Sequence, residues 1–138
     1  MIHSEYPIEA GEFTHAGEAS VDIKRKLKQL GVSNELLRRV SVASYELEMN
    51  IVIHSLGGYL SLDVDSECVK LSSQDRGPGI PDIEQAMSEG FSTAGEEART
   101  MGFGAGMGLP NMKRNADVFM IDSQPGVGTT IDMMFELR

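Results

Sequence analysis

Between Gly102 and Gly108 every second residue is glycine, and the run leads directly into Leu109-Pro110. Glycine at this density offers no side chains to pack and loses the most conformational entropy on ordering, so a core strand or core helix is excluded there. What remains is a loop of bare backbone amides opening on a helix, because proline suits the first helical turn. Such amides, at the positive end of a helix, make an anion site suited to a triphosphate. The spacing matches neither of the better-known phosphate loops, since no Gly-Lys-Ser/Thr follows and no strand directly precedes the run. Simple chain flexibility is the competing explanation.

The rest of the composition narrows the class. A chain of 138 residues is the size of one ordinary domain, so residues 1–138 are expected to form a single unit. With 41% hydrophobic and 24% charged residues it reads as soluble and globular. No apolar run approaches the roughly 18 residues of a spanning helix, and Met1-Ile2-His3-Ser4-Glu5 does not read as a secretory leader. One cysteine, Cys68, agrees with a reducing compartment, and the cytoplasm is the expected location. A formal charge of −9 repels phosphate backbones and anionic lipid, so neither nucleic acid nor a membrane is expected as partner. A basic protein surface would be attracted, although such acidity also serves solubility.

Tyr6-Pro7-Ile8 has weak strand character, and Thr14 is placed to cap a helix through Ala16, Ala19, Ile23, Leu27 and Leu30 that stops at Gly31. Ser33 caps a long second helix through Leu36, Leu37, Val40, Ala43, Leu47 and Ile51 to about His54, broken by Gly57-Gly58. Leu60, Leu62 and Val64, then Val69 and Leu71, alternate on either side of Asp65-Ser66-Glu67 as an antiparallel hairpin. A short helix is expected over Asp82 to Met87, a loop over Gly90 to Gly108, and a helix from about Leu109-Pro110. Strands at about Val118 to Ser123 and Thr129 to Leu137 close the chain. Strands adjacent in pairs, interleaved with helices, favour an α+β two-layer sandwich over a doubly wound parallel sheet. The nine methionines read as gap-filling core, with an adaptable partner surface as the alternative.

Three further constellations carry chemistry. Glu46 and Asn50 lie four apart on the long helix and project from one face, with His54 one step along the same stripe. Asn50 offers a hard carbonyl oxygen suited to Mg²⁺, and Glu46 a carboxylate able to take a proton from a hydroxyl. Either residue also suits a solvated helix face, and His54 reads as a helix-end residue rather than a ligand. Asp75-Arg76-Gly77-Pro78-Gly79-Ile80 places a carboxylate at a strand end before a turn that a ligand can approach. That carboxylate can accept from the exocyclic amine of adenine, whereas guanine presents an acceptor there; an Asp-Gly turn without a ligand is the alternative. Finally, Gly128-Thr129-Thr130 opens the last strand, where a hydroxyl can join the acid.

In this order, Glu46-x-x-x-Asn50, Asp75-x-Gly77-x-Gly79-Ile80, Gly104-x-Gly106-x-Gly108-Leu109 and Gly128-Thr129 resemble the N, G1 and G2 boxes and terminal Gly-Thr of the histidine-kinase-like (GHKL) ATPases. The short length, the Gly-x-Gly-Leu-Pro-Asn-Met-Lys-Arg continuation and the Pro-Gly-x-Gly-Thr-Thr ending look like the stand-alone anti-sigma-factor serine/threonine kinases of bacterial partner switching. The resemblance implies a Bergerat-type sandwich, with a mixed, mostly antiparallel sheet covered by helices on one face and an ATP lid at about 90–108. It implies ATP and Mg²⁺ as cofactors, with Asn50 on the metal and Glu46 orienting or deprotonating the substrate serine or threonine. Asp75 would bind adenine N6, helped by Thr129 through a bridging water. Gly77, Gly79 and Ile80 would shape the adenine pocket. Gly104, Gly106, Gly108 and Leu109 would hold the phosphates, with Arg99 or Lys113 as added positive charge. The implied partner is a STAS-type antagonist protein, with a sigma factor as a further partner. A homodimer stays open, as does a non-catalytic switch in which nucleotide occupancy alone controls a partner. A detached histidine-kinase catalytic domain is disfavoured, since no phosphoacceptor-His helix precedes the long helix. Arg76 departs from the family pattern, with its side chain either covering the base or pointing outward.

Overall fold

In a computed structural model, residues 2–77, 79, 87 and 108–137 are described. The expected Asp82–Met87 helix, the lid and the positions of Ile80, Arg99, Gly104 and Gly106 lie outside them, Met87 apart. The described elements are β1 (Ile2–Ile8), α1 (Glu18–Gln29), α2 (Asn34–His54), β2 (Gly58–Val64), β3 (Cys68–Asp75), α3 (Gly108–Asn115), β4 (Val118–Gln124) and β5 (Gly128–Glu136). The strands form one sheet in the order β1-β2-β3-β5-β4. Each pairing among the described strands is antiparallel.

Alternation along the strands sorts their side chains into two sets. Leu60, Leu62 and Val64 of β2, Val69 and Leu71 of β3, and Ile131, Met133 and Phe135 of β5 are buried. The pairings set Leu62 opposite Leu71, and Leu71 opposite Met133, so one face of the sheet is continuously apolar. Onto that face α2 lays Leu36, Val40, Ala43, Leu47 and Ile51, α1 lays Ile23 and Leu27, and α3 lays Leu109 and Met112. The spacing of three and four along α2 is the stripe of an amphipathic helix. Fully burying one such side chain is worth about 1.5–3 kcal/mol, so this stripe holds the two layers together. The fold is therefore the two-layer α+β sandwich expected from the alternation of elements.

Methionines stand both in the core and at the surface. Met112 and Met133 are core, whereas Met120 on the edge strand β4 is 59% exposed.

Helix ends explain where expectation and structure part. Ser33 caps α2 as expected, its side chain accepting from Leu36 N at 3.2 Å, and the helix ends at His54 ahead of Gly57 and Gly58. Helix α1, however, does not start at Thr14. Its N-cap is Gly17, in a left-handed conformation with φ 101°, and no side chain of its own caps it. Glu48 of α2 does so instead. Its Oε2 accepts from Gly17 N at 3.0 Å and Ala19 N at 3.3 Å, and its Oε1 accepts from Ser20 N at 3.0 Å. Glu48 is 3% exposed, and its carboxylate pairs with the amides that a helix start leaves without partners.

Replacing Glu48 by alanine leaves buried amides unpaired and should lower the unfolding free energy by about 3 kcal/mol. Glu48→Gln retains an acceptor and should cost less. Urea denaturation of both variants beside wild type tests this; a Glu48→Gln chain more stable than wild type would show that the cost of burying the charge outweighs the cap.

Candidate functional site

Asp75 ends β3 at the middle of the sheet, and its surroundings are set by its neighbours' lack of side chains. On one side it pairs with Gly58, where a Cβ would lie 2.2 Å from Gln74 O and 2.7 Å from Asp75 Cα. On the other side stands Gly128, with φ 154°, where a Cβ would come within 2.0 Å of Asp75 O. Neither position admits another residue without moving the strand. Thr129 N donates to Asp75 Oδ1 at 3.1 Å, while the Thr129 hydroxyl lies 2.9 Å from Ser123 Oγ. The Gly-Thr pair therefore reaches the acid through its backbone, and the side chain expected to act is turned toward β4. Burial pushes the Asp75 carboxyl above its ordinary range, partly offset by the Thr129 amide.

The chain beyond Asp75 passes between the end of α2 and the β4–β5 turn. Gly77 N donates to Val127 O at 3.1 Å, and a Cβ on Gly77 would lie 3.2 Å from Ser55 Cα. Gly79, at φ 76°, lies so close to that turn that a Cβ would meet Gln124 O at 2.5 Å. Both glycines thus satisfy a need for close approach rather than for a loose turn. Arg76 N donates to Gly57 O at 2.9 Å, and its guanidinium reaches back over Gly57, 3.4 Å from where a Cβ would stand. The Arg76 side chain is thus directed at the α2–β2 connection.

Glu46 and Asn50 lie on the flank of α2 opposite Glu48. Both are half-buried, and no hydrogen bond joins the Asn50 amide to another described residue. The Glu46 carboxylate faces the first turn of α3, where a Cβ on Gly108 would lie 3.1 Å from Glu46 Oε2. Burial pushes its proton affinity up, opposed by a hydrogen bond with Asn111. Asn111 is the residue that reasoning from sequence passed over, although it stands within the Gly-x-Gly-Leu-Pro-Asn segment. Leu109 buries its side chain in the core, leaving only its backbone to the helix N-terminus. Lys113 is exposed. His54, the last residue of α2, is shifted by burial toward its neutral form.

One carboxylate at a strand end, an amide and a second carboxylate on one helix flank, and the start of α3 are therefore the described parts of the candidate site. Such a set can accept a hydrogen bond from a base, offer a hard oxygen to a cation, and take a proton from a hydroxyl.

The chain is similar to known proteins along most of its length. A model of the histidine kinase-, DNA gyrase B- and HSP90-like ATPases matches residues 38–138. The serine/threonine-protein kinase RsbT of Bacillus subtilis is 36% identical, with 80% of each chain covered. The anti-sigma F factor of Pasteuria penetrans is 30% identical over 92% of this chain and 89% of its own. Among solved structures, the RsbU and RsbW domains of a Mycobacterium tuberculosis protein superpose with a TM-score of 0.67 at 16% identity. That match covers 99% of this chain and 32% of the other. The mycobacterial sensor histidine kinase MprB gives 0.56 at 19% identity, with 99% of each chain covered. These two likenesses speak for the fold. The family model and the relatives place the chain in the GHKL ATPases, in the family of the serine/threonine-protein kinase RsbT and the anti-sigma F factors.

Proposed function

We propose that this protein is an ATP- and Mg²⁺-dependent serine/threonine kinase and anti-sigma regulator that phosphorylates a STAS-type antagonist protein in a bacterial partner-switching system. The observation that carries the reading is the placement of Glu46 and Asn50 on one flank of α2, with Glu46 against the first turn of α3. Family membership supplies the use of ATP. No helix among the described residues is long and apolar enough to cross a membrane, which agrees with a cytoplasmic location.

The donors present fit the cation. Asn50 has a half-buried amide oxygen with no partner among the described residues, and magnesium takes one or two protein oxygens while leaving other positions to water and phosphate. Once bound, the ion would neutralise charge on the β- and γ-phosphates. Asp75 would accept from adenine N6 while Thr129 N fixes its other oxygen. Gly108, at the start of α3, would present bare backbone to phosphate, together with Gly104 and Gly106. Gly77, Gly79 and Ile80 would line the adenine pocket. In the transfer itself a substrate serine or threonine oxygen bonds the γ-phosphorus, the bond from that phosphorus to the β–γ bridging oxygen breaks, and ADP leaves. The hydroxyl proton passes to Glu46. Desolvation suits this carboxylate to the task, because it raises the proton affinity.

A pull-down with Mg·ATP and with Mg·ADP, followed by mass spectrometry, should recover a STAS-domain protein carrying phosphate on serine or threonine. With that protein as substrate, Glu46→Gln should reduce label transfer from ATP at least about a hundredfold. Calorimetry should show its nucleotide affinity unchanged. Asn50→Ala should remove most of the affinity that magnesium adds to ATP, about tenfold or more. Partner control that survives Glu46→Gln but not Asn50→Ala would identify a binding switch instead of a kinase.

Asp75→Asn separates binding from folding. The amide oxygen still accepts from Thr129 N, but the charge that adenine N6 would meet is gone, so ATP affinity should fall about 10- to 100-fold. A carboxyl whose folded-state pKa is raised binds its proton more tightly in the folded chain, so its contribution to stability is present at low pH. That contribution is lost as pH rises through the interval between the unfolded and folded pKa values. Asp75→Asn should therefore flatten this loss and leave the melting temperature at pH 7 equal to or above wild type. A lowered melting temperature would show that the charge supports the fold.

A further inference from the structure

Asn111 stands one turn beyond Gly108, which packs against Glu46; its side chain meets the same carboxylate, and none of the roles above employs it. Its orientation follows from a second bond. Arg114, one turn further on, donates from its guanidinium to Asn111 Oδ1. A guanidinium has no acceptor, so the amide oxygen must face it, and Nδ2 is left to donate to the Glu46 carboxylate. Arg114, Asn111 and Glu46 thus form a line of hydrogen bonds with a fixed donor direction.

The frame around that line is also fixed. Asn115 Nδ2 donates to Asn111 O at 2.8 Å. Arg39, two turns before Glu46 on α2, donates from Nε to Asn115 O at 2.8 Å and from a terminal nitrogen to Asp117 Oδ1 at 3.0 Å. Helix α3 is therefore tied to α2 at both ends, by Glu46 near its start and by Arg39 at its finish. The Glu46 carboxylate is closely packed against Gly108 as well. A glutamate has three side-chain torsions to settle, and these contacts hold its terminal group.

We propose that Asn111 is a positioning residue for phosphoryl transfer: its amide, aimed by Arg114, holds the Glu46 carboxylate so that the oxygen not bonded to Asn111 faces the incoming hydroxyl. The inference rests on Glu46 being the proton acceptor. It makes the helix after the glycine run more than a phosphate cradle, since the same element aligns the base. A misplacement of about 1 Å in such a group costs on the order of a hundredfold in rate.

The side-chain amide resonances of Asn111 provide a readout that needs neither nucleotide nor partner. In nitrogen-15 spectra they should move on Glu46→Ala and on Arg114→Gln; signals unmoved by Glu46→Ala overturn the hydrogen bond and the proposal. Kinetics give the second readout. With the captured STAS-domain protein, Asn111→Leu should lower kcat about 10- to 100-fold while KM for ATP stays within about twofold. Added to Glu46→Gln, it should cost nothing more, because both act through one group. Should Asn111→Leu fold poorly, Asn111→Asp keeps the shape and the Arg114 bond but has no proton to donate when ionised, and should show the same kcat loss. Unchanged kcat, or a penalty that adds fully to that of Glu46→Gln, overturns the positioning role while leaving Glu46 as the acceptor. Full transfer by Glu46→Gln removes the acceptor itself, and the role of Asn111 with it.

Discussion

Burial of the Leu36, Val40, Ala43, Leu47 and Ile51 stripe against the sheet fixes how α2 is rotated about its own axis. With about 100° between successive residues, Glu46 and Glu48 must then emerge on opposite flanks of Leu47, and Asn50 returns to the flank of Glu46. One flank carries the candidate chemistry, and the other carries a carboxylate sealed under the start of α1. The two acids share a residue type and nearly a sequence position. Their difference comes entirely from the apolar residue between them.

The centre of the sheet imposes the second constraint. Strands β3 and β5 are neighbours, so the end of one and the start of the other place Asp75 beside Thr129 although 54 positions separate them. Gly58 and Gly128 let the flanking backbones close on that acid. The Asp75 side of the candidate site therefore rests on strands braced from both directions, while the Glu46 and Asn50 side hangs from a helix. Packing between the layers keeps the two in register.

Much of this was legible beforehand. The hairpin of β2 and β3 follows from alternation, and α2 from its helical stripe and Ser33. The order of the glycine-bearing motifs pointed to the family. What escaped were relations over long separations. Thr14 offered a locally plausible cap, but Glu48, far along the chain, outcompeted it by bringing a full charge into a buried place. Gly58 was visible only as a helix breaker, because its closeness to Asp75 depends on strand register. The Thr129 amide bonds Asp75, a contact that the residue type does not announce. Asn111 carried no signal of its own, since an asparagine in a first helical turn has ordinary reasons to be there.

The capping of α1 by Glu48 also bears on how the chain acquires its shape. A twelve-residue helix is marginal in isolation, and this one lacks a cap from its own side chains, so little favours it before α2 has docked. During synthesis from the N-terminus, the first helix should stay unformed until residues well beyond it have emerged, and the pair should then assemble together. Opening one is expected to release the other, which makes the two helices a single cooperative unit for hydrogen exchange.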